Sequence, residues 1–136
     1  MTEPTPTPVI DLSQAGPGNF RSNRGIVVQA LWFVLDALVM NNALMPVTAV
    51  RVSLLRLFGA TVGKQCRMPN PIRVRAPWNL RIGDRVWLGV DVWLYNQTQL
   101  DIGSDVCISQ GSFLTTGSHE VASNMDLRVD PICVED

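Results

Sequence analysis

The chain has 136 residues, of which 46% are hydrophobic and 17% charged, so it is long enough for one domain with a hydrophobic core and too short for two. Its 11 basic and 12 acidic residues give a formal net charge of -1, which excludes the strongly basic balance of a typical nucleic-acid-binding protein. The single histidine excludes a zinc site made of several imidazoles, and we expect no metal.

Residues 1–20 are rich in proline and glycine and contain few large apolar side chains. This composition predicts a flexible N-terminal arm. The first residues do not have the basic and then apolar pattern of a signal peptide. Because the three cysteines are scattered and match no disulfide framework, we expect a cytoplasmic protein.

Residues 21–59 form an apolar segment that predicts two helices separated by Pro46. Its uncharged stretches, 25–35 and 37–50, are shorter than the roughly 20 residues that span a bilayer. Two placements stay open: the helices pack on the main domain, or they lie in a membrane interface in a membrane-peripheral protein. Residues 51–85 contain seven arginines and Lys64 against one acid, Asp84, which suggests that this end faces something anionic.

A 20-residue period begins after Gly59 and defines the segment 60–136. The pairs Val62-Gly63, Ile82-Gly83 and Ile102-Gly103 recur at this spacing, with aliphatic residues every six positions between them. Such hexapeptides are typical of a left-handed parallel β-helix, here about three coils over residues 62–119. The fold class is therefore mainly β, preceded by N-terminal helices. The side chains predicted to point inward are Ile82, Leu88, Leu94, Ile102, Ile108 and Leu114.

The period breaks after His119 and resumes at Val134. Fourteen residues, 120–133, replace the two that earlier coils have at this corner. A long insertion beside the only histidine predicts a loop over a functional site. His119 itself is expected at the corner and not inside the coil.

The motifs GNFRSNRG, LLRLFGATVGK, APWNLRIGD and ISQGSFLTTGSHE resemble the colanic-acid biosynthesis branch of the hexapeptide-repeat acetyltransferases. This resemblance implies transfer of acetyl from acetyl-CoA to a sugar hydroxyl, in a homotrimer with sites between neighbouring subunits when full length. Family members continue through further coils that supply much of the coenzyme A groove. We therefore expect the β-helix of this chain to be incomplete, truncated at its C-terminal end.

The same resemblance assigns roles to three residues. His119 matches the histidine of the family's TGSH motif and carries over as the general base. Glu120 stands where the family often has Asp and is expected to bind substrate. Asp91 loosely matches a polar residue that holds the acceptor, although its alternative role as a turn residue stays open. For the second ring nitrogen of His119, acids of the insertion are candidate partners: Glu120, Asp126 and Asp130.

Two functions follow from this reading. The first is an acetyl-CoA-dependent O-acetyltransferase in exopolysaccharide biosynthesis, whose acceptor is a sugar, a sugar nucleotide or a lipid-linked sugar. The alternative is a catalytically silent, truncated β-helix module with a membrane-peripheral or assembly role.

Overall fold

The computed structural model describes residues 9–136, in which two helices precede a stack of short strands. Helix α1 spans Ile26–Leu35 and continues into a π-helical turn at Asp36–Met40, and α2 spans Thr48–Leu57. Pro46 lies between them, as predicted. Short 3₁₀ turns occur at Leu12–Gln14 and Pro77–Asn79.

Eleven strands follow α2, and most of them belong to three parallel sheets. The first sheet contains β1, β3, β6 and β11, the second contains β4 and β7, and the third contains β2, β5 and β8. Strands β9 and β10 form a separate antiparallel pair. The bounds are β1 Thr61–Val62, β2 Ile72–Val74, β3 Leu80–Ile82, β4 Trp87–Leu88, β5 Val92–Tyr95, β6 Leu100–Ile102, β7 Cys107–Ile108, β8 Phe113–Thr115, β9 Gly117–His119, β10 Leu127–Val129 and β11 Ile132–Val134.

The register of the parallel sheets reproduces the sequence period. Val62 pairs with Ile82 and Ile82 with Ile102, while Leu88 pairs with Ile108, each 20 residues apart. Val134 pairs with Ile102, which places the resumption of the period where the spacing predicts it. The mainly β class, with parallel sheets after two helices, is confirmed.

The predicted inward side chains fill the space between the sheets. None of the six is exposed: Leu114 is partly buried, and the other five are between 0% and 8% exposed. The glycine after each aliphatic residue also has a steric reason. A Cβ on Gly83 would stand 2.7 Å from the carbonyl carbon of Gly103 and 2.6 Å from the Ser104 hydroxyl oxygen, so the backbones approach too closely for any side chain.

The two helices cover the first strands of the stack, where edge peptide groups have no further strand to pair with. Trp32 Nε1 donates to the Val74 carbonyl at 2.7 Å, and the Val74 N–H donates to the Asp36 carboxylate at 3.0 Å. Arg56 donates to the Val62 carbonyl at 2.7 Å, which caps the edge of β1. The helical segment therefore acts as a polar cap for the sheet edges as well as an apolar lid.

Arg51 is the most deeply enclosed part of this cap. It is fully buried and donates to the carbonyls of Met40, Asn42 and Met68 at 3.2, 2.8 and 3.0 Å. These bonds tie the π-helical turn, the loop after it and the first coil to one guanidinium. Burial lowers the pKa of Arg51.

The described part of the predicted flexible arm forms hydrogen bonds to the hairpin. Residues 1–8 lie outside the described residues. In the rest of the arm, the Asn19 side chain donates to the Val129 carbonyl at 3.1 Å and accepts from the Val129 N–H at 2.8 Å, while Gly16 N–H donates to Asp126 at 2.7 Å. The composition did not reveal this attachment because hydrogen bonds hold the segment, not buried apolar side chains.

Candidate active site

The insertion after His119 is a β-hairpin. Strand β9 ends at His119 and pairs antiparallel with β10, with His119 opposite Leu127. Strand β11 then returns to the first sheet. The prediction of a loop over residues 120–133 is therefore wrong at Leu127–Val129 and at Ile132 and Cys133, which lie in strands, because counting a period locates extra residues but cannot detect strand pairing among them. The other residues of that range form the turn between β9 and β10 and the link to β11.

The turn of the hairpin fixes the ring of His119. Its Nδ1 lies 3.0 Å from the backbone carbonyl of Met125. Met125 has φ of 61°, in the left-handed region, and its N–H donates to the Glu120 carbonyl at 3.0 Å. The Glu120 N–H in turn donates to the Asp126 carbonyl at 2.9 Å. This closed turn aims the Met125 carbonyl at the imidazole.

The Met125 contact decides which tautomer the neutral ring adopts. A carbonyl oxygen only accepts hydrogen bonds, so Nδ1 carries the proton and donates it. Nε2 is then unprotonated, and its lone pair is available to accept a proton from a bound group. Because the side chain is exposed, that group can reach Nε2 from solvent.

The acids proposed as partners of the His119 ring have other roles. The Asp126 carboxylate accepts from the Gly16 N–H and from the Asn124 amide, both at 2.7 Å. Asp130 pairs with Arg128 at 2.9 Å. The Glu120 side chain makes no hydrogen bond to the ring, although its backbone helps to form the turn. Sequence reasoning missed Met125 because a backbone carbonyl leaves no signature in residue type.

The corner below His119 is polar, and its residues were not singled out from the sequence. The Gly117 N–H donates to the Thr115 hydroxyl at 3.1 Å, and Thr116 is buried with its hydroxyl accepting from the Thr98 N–H at 3.1 Å. A Cβ on Gly117 would collide with the side-chain oxygen of Gln97. A side chain at this position would require the flexible Gln97 side chain to move.

Asp91 does not meet His119 in this chain. It is exposed, adopts φ of 58° and donates its N–H to the Pro71 carbonyl at 2.7 Å, just before β5. His119 comes after the far end of the same sheet, so the strands of that sheet separate the two residues. The geometry fits the turn-residue alternative, and a role in acceptor binding stays a prediction.

A cleft of about 590 Å³ lies between α1 and the third sheet, and its lining does not include His119. Asp36, Arg73, Trp93 and Tyr95 contribute to its walls. Burial raises the pKa of Asp36 to about 6, against the opposing effects of the Val74 N–H and the Arg73 charge. His119 itself has an exposed side chain.

Among residues 9–136, no group of three or more His, Cys, Asp or Glu side chains is arranged to hold a metal ion.

Comparison with known proteins found two relatives, from Escherichia coli (strain K12) and Shigella flexneri, both provisionally named colanic acid biosynthesis acetyltransferase WcaF. Each is 38% identical to this chain over 119 residues, which are 87% of this chain and 65% of the relative. The resemblance indicated by the motifs is thereby confirmed, for a chain that spans about two-thirds of the length of these relatives. No protein-family model and no solved structure matches the chain.

Proposed function

We propose that this chain carries the base-bearing part of an acetyl-CoA-dependent O-acetyltransferase that acts on a sugar hydroxyl in exopolysaccharide biosynthesis. The names of the two relatives support the reaction class and the process. The observation that carries the proposal is the contact between His119 Nδ1 and the Met125 carbonyl, which leaves Nε2 free as a base.

In the proposed reaction, His119 Nε2 takes the proton of the acceptor hydroxyl while the hydroxyl oxygen attacks the thioester carbonyl carbon. The new carbon–oxygen bond forms as the carbon–sulfur bond breaks. The imidazolium then returns the proton to the departing thiolate. The Met125 carbonyl stabilises the imidazolium, since Nδ1 keeps donating to it throughout. Glu120, next to His119 in the turn, is proposed to hold the acceptor.

The proposed architecture is a left-handed parallel β-helix that assembles as a homotrimer. The six-residue spacing and the 20-residue register of the parallel sheets support the coil. The trimer is supported by the open corner at His119, since a neighbouring subunit would supply the missing wall of the site. The exposed aromatic side chains Trp87, Trp93 and Phe113 on the outside of the coils also favour a partner surface.

The test is release of free thiol from acetyl-CoA with a panel of hexoses and lipid-linked sugars, combined with mass spectrometry of the acetylated product. It is run on this chain and on a version extended as in the 38% identical relatives. We expect acetylation of one acceptor class, and its loss in His119→Gln. An absence of product from both versions with every acceptor would contradict the proposal and favour the catalytically silent module.

A further inference from the structure

The outward sides of the two helices form an apolar surface that the fold leaves uncovered. On α1 and its π-helical turn, Ile26, Val27, Leu31, Val34 and Leu38 are between 49% and 78% exposed, and on α2 Leu57 is 79% exposed. We call these six residues the outer helical face. Val27, Leu31, Val34 and Leu38 recur every three or four positions, so they line one side of the helix, and Ile26 lies in its first turn.

The two helices meet at a cleft of about 380 Å³, which is lined by Val39, at the end of the π-helical turn, and by Ala49, Val50 and Leu57 of α2. Leu57 is the residue of the outer helical face that lines this cleft. The opposite sides of the helices are buried against the strands through Trp32 and Leu55. Packing on the coils therefore uses only one side of the helical cap. A group of exposed aliphatic side chains of this kind marks an interaction site.

Charge identifies the kind of partner that this surface fits. Between residues 12 and 83 there are nine basic residues and one acid, Asp36, whose carboxylate accepts a hydrogen bond from the Val74 N–H. Arg24 precedes α1, and Arg56 and Lys64 line a groove beside α2. The eight acids of residues 86–136 belong to the later strands and the hairpin, further along the stack.

This arrangement disfavours a second copy of the chain as the partner. Two copies that met through the outer helical face would bring their basic residues together and would repel each other. An anionic lipid surface satisfies both features, because it offers an apolar boundary for the exposed aliphatic side chains and phosphates for the cations. Among residues 9–136, no helix is long and apolar enough to cross a membrane, so the contact is a surface contact.

We propose that the outer helical face binds the surface of an anionic phospholipid bilayer. Its aliphatic side chains enter the boundary between headgroups and acyl chains, and Arg24 and Lys64 contact the lipid phosphates. The proposal does not depend on acetyl transfer, since it rests on the helices and not on His119.

The test is co-sedimentation of the protein with vesicles of phosphatidylcholine alone or mixed with phosphatidylglycerol. We expect binding to the mixed vesicles that weakens in high salt, and little binding to neutral ones. Leu31→Glu should weaken binding at least about tenfold, and Arg24→Gln and Lys64→Gln about fivefold each. Val121→Glu is the matched control, because this exposed side chain lies on the hairpin turn, outside the helical cap, and its replacement should leave binding unchanged.

Sedimentation velocity and circular dichroism accompany the binding assay. Equal binding to both kinds of vesicle, or none to either, would overturn the proposal. So would a soluble oligomer that Leu31→Glu dissociates without any vesicle binding by the unmodified protein, since a second copy would then cover the surface. If Leu31→Glu loses its helical spectrum, the vesicle binding of Arg24→Gln and Lys64→Gln tests the proposal instead, because these substitutions change exposed side chains only.

Discussion

Asp36→Asn should stabilise the protein near neutral pH and have little effect in mild acid. The carboxylate is held in the wall of the cleft beside α1, where burial raises its pKa from 3.8 to about 6. Its oxygen accepts from the Val74 N–H, and an asparagine side-chain oxygen at the same position can do the same. The substitution thus removes the charge and keeps the hydrogen bond.

The size and sign of the effect follow from linkage between protonation and folding. A folded-state pKa above the unfolded value means that Asp36 binds its proton more tightly in the folded protein than in the unfolded chain. The stability that this proton contributes is fully present below about pH 3.8 and is lost as the pH rises through about 6. A difference of about two pH units between the folded and unfolded pKa of Asp36 corresponds to about 2 to 3 kcal/mol in the free energy of unfolding. Above pH 6, Asp36→Asn should gain this amount relative to the unmodified protein.

Urea unfolding at about pH 4.5 and about pH 7.5 measures the free energy of unfolding of the variant and of the unmodified protein. The other carboxylates contribute equally to both proteins, so their contribution drops out of the difference. Asp36→Ala separates charge from hydrogen bonding, because it also leaves the Val74 N–H without an acceptor and should be about 1 to 2 kcal/mol less stable than Asp36→Asn at both pH values. A stability difference that is the same at both pH values, or an asparagine variant that is less stable near pH 7.5, would refute the reasoning.

Three further predictions concern the cap, the coils and the arm. Arg51→Ala should lower the free energy of unfolding by about 3 to 5 kcal/mol, since three carbonyls lose their donor, and denaturant unfolding checks it. Gly83→Ala should cost more than about 2 kcal/mol by the same assay because its Cβ would overlap the next coil, whereas Gly25→Ala, with nothing within 4 Å, should change stability by less than about 1 kcal/mol. Asn19→Ala should speed amide hydrogen exchange at Val129 at least about tenfold, and unchanged exchange there would mean that the arm does not hold the hairpin.

The strands were predictable because the residue types repeat along the chain with the period of the parallel strands. An aliphatic residue and a glycine every 20 positions leave one register in which Ile82 and Ile102 both face inward, and the structure has that register. The two helices and the break at Pro46 were predictable for a similar reason, since an apolar run without strand alternation favours helix.

The features that were not predictable depend on contacts between groups that show no repeat in the sequence. The bond from Arg51 to Met68 spans 17 positions and the bond between Asp36 and Val74 spans 38. Either charged residue taken alone resembles an ordinary solvated charge. The Met125 carbonyl is part of the backbone, so the residue type does not indicate its contact with His119. The hairpin was hidden because its strands pair antiparallel within an insertion that has no repeat.

The rate of acetyl transfer by His119→Ala tests the central claim most directly, with Val121→Ala on the same hairpin as the control. A general base acts in the transition state, so we expect kcat to fall at least about tenfold while KM for acetyl-CoA changes little. The control should keep the parental kcat, because its side chain is exposed and has no group that could accept or donate a proton. A kcat for His119→Ala equal to that of the unmodified protein would remove His119 from the mechanism and contradict the account.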